Sequence, residues 1–296
     1  MSVLVCENIS KVVKRKEVIK NFSYNFLENQ VYAILGKSDS GHSELLHMIS
    51  GKSKPANGTI FLDGYDLLKN NNISDRICFI SHSTSFPNNI TILDIFRIMA
   101  RSFPNWDTYY AYEILNHFEI NYKTRFGKLT KQEKTILIGI LNLASRANIT
   151  IMDNPMDDVD IKVRYDFFNY LYDHQVKYPR TFIITTSFID EIDYLVDKLL
   201  LFDKGKLIAS FTTQEAKENF RYLTGKTEVL KSLISGVKVI GVEERGKTLT
   251  ICVRQNLKKD EIRKYHKYLI EISKVPIQKI FIYLINLREI KGISNE

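Results

Sequence analysis

The chain is poor in cysteine and has no long apolar run. Cys6, Cys78 and Cys252 are widely spaced, form no C-x-x-C pair and are odd in number. That pattern argues against a disulfide framework or a zinc site and points to a reducing, cytoplasmic setting. A spanning helix needs roughly 18 or more apolar residues, and "ILIGILNLA" (Ile136–Ala144) falls well short, so it reads as a buried helix. The opening "MSVLVCENIS" turns polar too early for a signal peptide or an anchor. Any membrane role is therefore expected to come through a partner. Internal repeats and low-complexity tracts are also missing.

What is present is ordinary globular material. With 296 residues, 44% hydrophobic and 26% charged, the chain can build one large domain and an appendage. The net charge of +8 is not gathered into one block. "KVVKRK" (Lys11–Lys16) and "LKKDEIRKYHK" (Leu257–Lys267) are separate and mixed with other residue types. We read a solvated basic surface, suited also to lying beside a membrane, and expect no nucleic-acid partner.

Short β-rich runs, "VYAIL", "RICFI", "NITIM", "TFIITT" and "KLLLFD", alternate with longer helical stretches. The alternation predicts an α/β fold with a mainly parallel sheet, and "NGTIFLDG" (Asn57–Gly64) adds a smaller antiparallel part. Between about residues 86 and 147, "TILDIFRIMARSF", "WDTYYAYEILNHF" and "KQEKTILIGILNLASRA" carry apolar residues at three- and four-residue steps, which predicts a helical insertion. Residues 1–210 are expected to form the main domain and 211–296 a small α/β appendage. Within the appendage, "TTQEAKENFRYL" reads as helix, "GVKVIGVEERGKTLTICV" as strands around a turn, and "KKDEIRKYHKYLIEIS" and "IQKIFIYLINL" as two helices.

The stretch "ILGKSDSGHSELL" has the outline G-x-x-x-x-G-K-[ST] of a phosphate-binding loop between a strand and a helix, with His42 where the lysine belongs. Gly36 and Gly41 would turn backbone N–H groups of Lys37, Ser38, Asp39 and Ser40 toward phosphate, Ser43 could reach Mg²⁺, and Glu44 opens the helix. An imidazole is shorter than a lysine and is fully charged only below about pH 6.5. Asp39 adds a carboxylate near the place of a polyphosphate.

Downstream, "KLTKQEKTILIGILNLASRA", "NITIMDNPMDDVD" and "TFIITTSFIDEIDYLVDKLLLFDKGKLI" follow in order. Order and spacing together resemble the ATP-binding subunits of ABC transporters. "FPNW", "LASRANITIMDNP" and the tail near "KIFIYL" look like a bacterial branch with LSKGM-type signatures, including members labelled putative acetoin transporters. The resemblance implies a P-loop-type fold, ATP and Mg²⁺ as ligands, a transmembrane permease partner, and head-to-tail pairing with a second ATP-binding subunit, intact or identical. It implies a place on the inner face of the cell membrane and a permease-docking groove around His82 through Phe103.

Carried onto this sequence, the resemblance also implies altered positions. Val13 stands where an aromatic would stack on adenine. His82 replaces the glutamine that senses Mg²⁺ and the attacking water. Asp153 keeps the carboxylate on the magnesium side. Asn154 replaces the glutamate that would orient or deprotonate water, and Ser187 replaces a histidine at the γ-phosphate. In the signature, Thr130 keeps a hydroxyl, while Gln132 occupies a glycine position where backbone must approach phosphate. Asp160 retains the acidic residue of the loop that meets the opposing subunit. The expectation is a subunit with eroded chemistry that supports or regulates an active sister. Two alternatives remain open here: a low-activity ATPase in which protonated His42 partly replaces lysine, and a nucleotide-independent interaction protein.

Overall fold

The computed structural model describes residues 2–70 and 75–293. The chain divides into two compact units, one holding residues up to Ser187 together with Tyr194–Ser210, the other Phe188–Asp193 together with Phe211 onward.

In the first unit, β1 (Ser2–Val13) and β2 (Lys16–Leu27) form an antiparallel hairpin that β4 (Asn57–Leu62) and β5 (Tyr65–Asp66) extend into a four-stranded sheet. Its two-residue turn, Lys14-Arg15, has φ of 47° and 66°, the left-handed geometry that matches strand twist in a hairpin. The second sheet has the order β10-β9-β3-β8-β7-β6, from β3 (Val31–Gly36), β6 (Ile77–Phe79), β7 (Ile149–Asp153), β8 (Thr181–Thr185), β9 (Lys198–Asp203) and β10 (Lys206–Thr212). Strands β6, β7, β8, β3 and β9 pair in parallel. Every residue of Val31–Leu35 and of Thr181–Thr185 is buried, because helices cover both faces of such a sheet and leave no room for polar alternation.

Helix α1 (His42–Ile49) follows β3 directly. Three helices, α2 (Ile92–Ser102), α3 (Thr108–His117) and α4 (Lys131–Ala144), lie between β6 and β7 in sequence. Their starts follow local chemistry. Thr91 and Asp94 form a reciprocal capping box on α2, Asp107 caps α3 through Tyr110 N, and Thr130 with Glu133 boxes α4. Helix α5 (Ile161–Lys177) connects β7 to β8.

The second unit contains the short α6 (Ile189–Ile192) and α7 (Thr213–Asn219). Then come β11 (Phe220–Lys226), α8 (Thr227–Leu233), β12 (Val239–Arg245), β13 (Thr248–Arg254), α9 (Lys259–Lys267) and β14 (Glu271–Lys274), before α10 (Ile277–Ile293). The βαββαβ order with strands arranged β12-β13-β11-β14 is the split βαβ, ferredoxin-like topology. Leu223, Leu249, Ile251 and Val253 of the sheet share its core with Leu230 and Tyr265 of α8 and α9.

Two elements here correct the reading from sequence. "NFRYL" leaves the helix at Asn219 and becomes β11, because β11 pairs with both β13 and β14 and sits at the centre of the sheet. "EIS" is not helical but belongs to β14, which adds an edge to β11. Among the described residues no helix is long and apolar enough to cross a membrane.

Candidate nucleotide site

The loop between β3 and α1 wraps tightly on itself. Ser40 N donates to Lys37 O at 2.9 Å, and Gly205 N donates to Ser40 O at 2.8 Å, tying the loop to the β9–β10 turn. Gly41 has φ +95°, and a Cβ there would lie 2.5 Å from the Val18 carbonyl oxygen of β2. Both constraints demand glycine. Gly41→Ala is expected to destabilise the protein by about 2–3 kcal/mol, read as a lower urea midpoint; an unchanged midpoint would mean the loop relaxes freely.

Gly41 is also the N-cap of α1 and offers no side-chain acceptor. The first N–H groups of α1 thus lack a side-chain cap, which is the backbone condition for an anion site at a helix N-terminus. Lys37, Ser38 and Asp39 are exposed at the crest, while Ser43 and Glu44 are half-buried in the first turn.

His42 does not point freely toward a ligand. It is buried, and its Nδ1 lies 2.7 Å from Ser40 Oγ, which is itself packed under Gly36. Burial pushes the imidazole below its ordinary pKa; the opposing pulls, weaker, come from Asp153 and from a hydrogen bond to the Lys37 backbone. The expectation that a protonated His42 stands in for lysine therefore runs against its surroundings, since burial favours the neutral ring.

Asp153 and Asn154 end β7. Thr185 Oγ1, at the end of neighbouring β8, donates to Asp153 Oδ1 at 2.6 Å and accepts from Asn154 N at 2.8 Å. Asn154 Nδ2 reaches the same Oδ1 at 3.4 Å, and among the described residues Oδ2 of Asp153 has no hydrogen bond. Asn154 has φ 45°, a left-handed conformation that asparagine tolerates better than most residues. His82 Nε2 donates to the Asn154 carbonyl at 3.0 Å. So His82, Asp153 and Asn154 form one connected group. Ser187, two residues past Thr185, is exposed and makes no hydrogen bond among the described residues.

Thr130 and Gln132 belong to a different cluster. The Thr130 hydroxyl accepts from Glu133 N at 3.2 Å, and its own N–H donates to Glu133 Oε2 at 2.7 Å. Gln132 Oε1 accepts from Asp160 N at 3.3 Å, and Lys131 pairs with Asp158 at 2.9 Å. The signature is thus fastened to the segment just after Asp153 and Asn154 in the same chain. Val13 is the last residue of β1, half-buried beside the Lys14-Arg15 turn.

Thr185 is the participant that sequence reading missed. A threonine ending a β-rich run looks like any β-branched strand residue, and only the pairing of Asp153 with Thr185 across β7 and β8 gives it a role. The fit to a magnesium nucleotide is divided. Uncapped α1 N–H groups, the Ser43 hydroxyl and Asp153 Oδ2 suit phosphate and Mg²⁺, which would neutralise phosphate charge when bound. His42 and Asn154 supply neither a fixed cation nor a base.

The six-stranded sheet with its strand–loop–helix turn is a mixed α/β fold that matches those of ABC ATPase cassettes. Residues 19–157 match the family model described as ABC transporter. The chain is similar to the ABC transporter ATP-binding protein YtrB of Bacillus subtilis, at 24% identity over 72% of this chain and 73% of the relative. It is also similar to ABC transporter A family member 2 of Dictyostelium discoideum, at 25% identity over 73% of this chain and only 14% of that longer protein. Among solved structures, an ATP-binding subunit of an ABC transporter superposes with TM-score 0.65 at 15% identity, covering 73% of this chain and 92% of that one. A dimeric ATP-binding cassette in a post-hydrolysis state with ADP and Pi gives TM-score 0.63 at 17% identity, covering 71% and 98%. These two likenesses establish the shared fold.

Proposed function

We propose that this chain is the ATP-binding-cassette subunit of a bacterial ABC transporter, catalytically degenerate at its own site, supporting or regulating an active partner. The observation that carries the reading is a division within one site. The backbone of a phosphate loop is built to close tolerance around Gly41, while its cationic position holds a buried His42 tied to Ser40. Asn154 and Ser187 add two further positions without a base or a cation. A fold kept in such detail with several chemical groups replaced suits a protein selected for docking and for sensing nucleotide.

In a head-to-tail pair, the site made from an intact partner's loop and this chain's Thr130 and Gln132 retains a capped helix N-terminus, although Gln132 keeps side-chain bulk where glycine is expected. A heterodimer is therefore favoured over a homodimer. The permease would dock around His82 through Phe103, at the inner face of the membrane. Placement in the LSKGM-type, acetoin-transporter-like branch rests on the sequence motifs alone and leaves cargo and direction of transport open.

Calorimetry of Mg-ATP binding to the purified chain at pH 6 and pH 8 tests this reading. We expect weak binding that changes little between the two pH values, because burial lowers the His42 pKa and so opposes a charged ring there. Binding that tightens about tenfold at pH 6 would favour the low-activity ATPase, with His42 charged on phosphate. No binding at either pH would move the function to nucleotide-independent scaffolding.

A further inference from the structure

A cleft of about 820 Å³ opens in the first unit, away from the nucleotide loop. It is lined by the residues before α3 and its first turn, by those after α4, and by the end of α5. Asn148 and Arg180, which immediately precede β7 and β8, also line it. Asp153 and the loop after Gly36 follow the opposite, C-terminal ends of parallel strands in the same sheet, so the cleft and the nucleotide loop lie at opposite strand ends.

The charge of the cleft is unbalanced. Among its lining residues Asp107 is the one carboxylate, and it pairs with Arg146. Arg180 spends its guanidinium on the last carbonyls of α4 and the residues after it, donating to Leu143 O at 2.7 Å and Asn142 O at 3.3 Å. Neither Arg180 nor Lys177 has a carboxylate partner among the described residues, so the cleft keeps a surplus of positive charge.

A second, independent observation is a concentration of unsatisfied polar atoms. Trp106 Nε1, Arg146 Nε, Arg180 Nε and both ring nitrogens of His174 are buried without a hydrogen-bond partner among the described residues. Buried polar groups are nearly always paired, so these five atoms mark the wall directly behind the cleft as unusually polar. His174, on the wall, is only 3% exposed. Flat groups flank the same place: the Arg146 guanidinium lies 3.6 Å from the centre of the Tyr178 ring, and the Tyr178 and His174 rings sit 5.5 Å apart at a tilt of 49°.

We propose that this cleft binds a small organic anion, with its carboxylate or phosphate on Arg146 and Lys177 and its flat ring beside Trp106 and Tyr178. Charge-assisted bonds to guanidinium and ammonium would hold the anionic end. The aromatic walls would hold the ring. The site assigns a ligand class to a part of the domain that takes no part in nucleotide binding.

Trp106 is the chain's single tryptophan and reports on this cleft alone. The test titrates the full-length protein with phenyl phosphate and with inorganic phosphate while following tryptophan fluorescence. We expect a saturable change with phenyl phosphate at about tenfold lower concentration than with inorganic phosphate. Lys177→Gln, at an exposed position that does not endanger folding, should weaken the response about fivefold, and Arg146→Gln more. Equal affinity for the two probes would overturn the aromatic half of the assignment. No saturable change with either probe up to about 10 mM, or a response that Lys177→Gln and Arg146→Gln leave untouched, would overturn the site.

Discussion

The purified chain is expected to hydrolyse ATP at least about 10³-fold more slowly than an ABC subunit with intact motifs, and His42→Lys combined with Asn154→Glu to recover about 10²-fold of that deficit. Phosphoryl transfer depends on positioning and on charge around the phosphates, with little covalent help from protein. Loss of a general base costs about 10²–10⁴-fold, and loss of a charge partner about 10²–10³-fold, without simple addition. On the proposed reading both losses fall on elements whose backbone is intact, which is why side-chain replacement should recover activity. His42→Lys places a flexible ammonium on an already formed loop and releases Ser40 Oγ. Asn154→Glu restores a carboxylate, although a glutamate at φ 45° is less comfortable than asparagine and forfeits the amide contact to Asp153. Ser187 and His82 stay altered, so recovery should stop well short of the intact enzyme. The measurement is phosphate release by the wild type, each single variant and the double variant. Turnover of the wild type at the level of the intact control would end the degenerate reading, and a double variant as slow as the wild type would show that the scaffold itself has lost competence.

How far the chain could be read in advance follows from where the determining forces lie. Strands β3, β7 and β8 announce themselves because burial on both faces demands uninterrupted apolar runs. The helices of the insertion show three- and four-residue spacing and threonine or aspartate caps, all local signals. Strand β11 hides behind helix α7, since nothing in "NFRYL" forbids another helical turn and its partners lie in β13 and in the four-residue β14. Strand β14 has a single apolar residue, Ile272, among Glu271, Ser273 and Lys274, and so carries no period of its own. The same distinction separates the halves of the nucleotide site. Gly36, Gly41, His42 and Asp153 stand out by spacing. The burial of His42 against Ser40, the bond from His82 to the Asn154 carbonyl and the bridging role of Thr185 are tertiary facts, made by segments that meet only in the folded sheet.

Acid is expected to destabilise this protein through His174, by about 2–3 kcal/mol between pH 7 and pH 4.5. The ring sits near the end of α5, 3% exposed, with Tyr110 at 4.8 Å and Tyr178 at 5.5 Å between centroids. Burial, then the nearby Arg180 and Arg146 charges, push its pKa down to about 3, and Asp107 offsets this only in part. The unfolded chain would hold the proton at an ordinary value near 6.5. Between those two values the unfolded state binds more protons than the folded state, so stability falls as pH drops below 6.5 and goes on falling until about pH 3. His174→Phe keeps a flat ring of similar size, removes two unpartnered nitrogens and cannot take up a proton. At pH 7 the variant should be as stable as the wild type or slightly more so, because an unsatisfied buried polar group is removed with its desolvation cost. At pH 4.5 it should be the more stable protein by about 2–3 kcal/mol. Urea unfolding of both proteins at the two pH values isolates this one group, since every other titrating residue is common to both. Parallel loss of stability in the two proteins would show that His174 titrates normally, whereas a flatter profile for the variant would establish that the fold holds this histidine neutral far below its usual range.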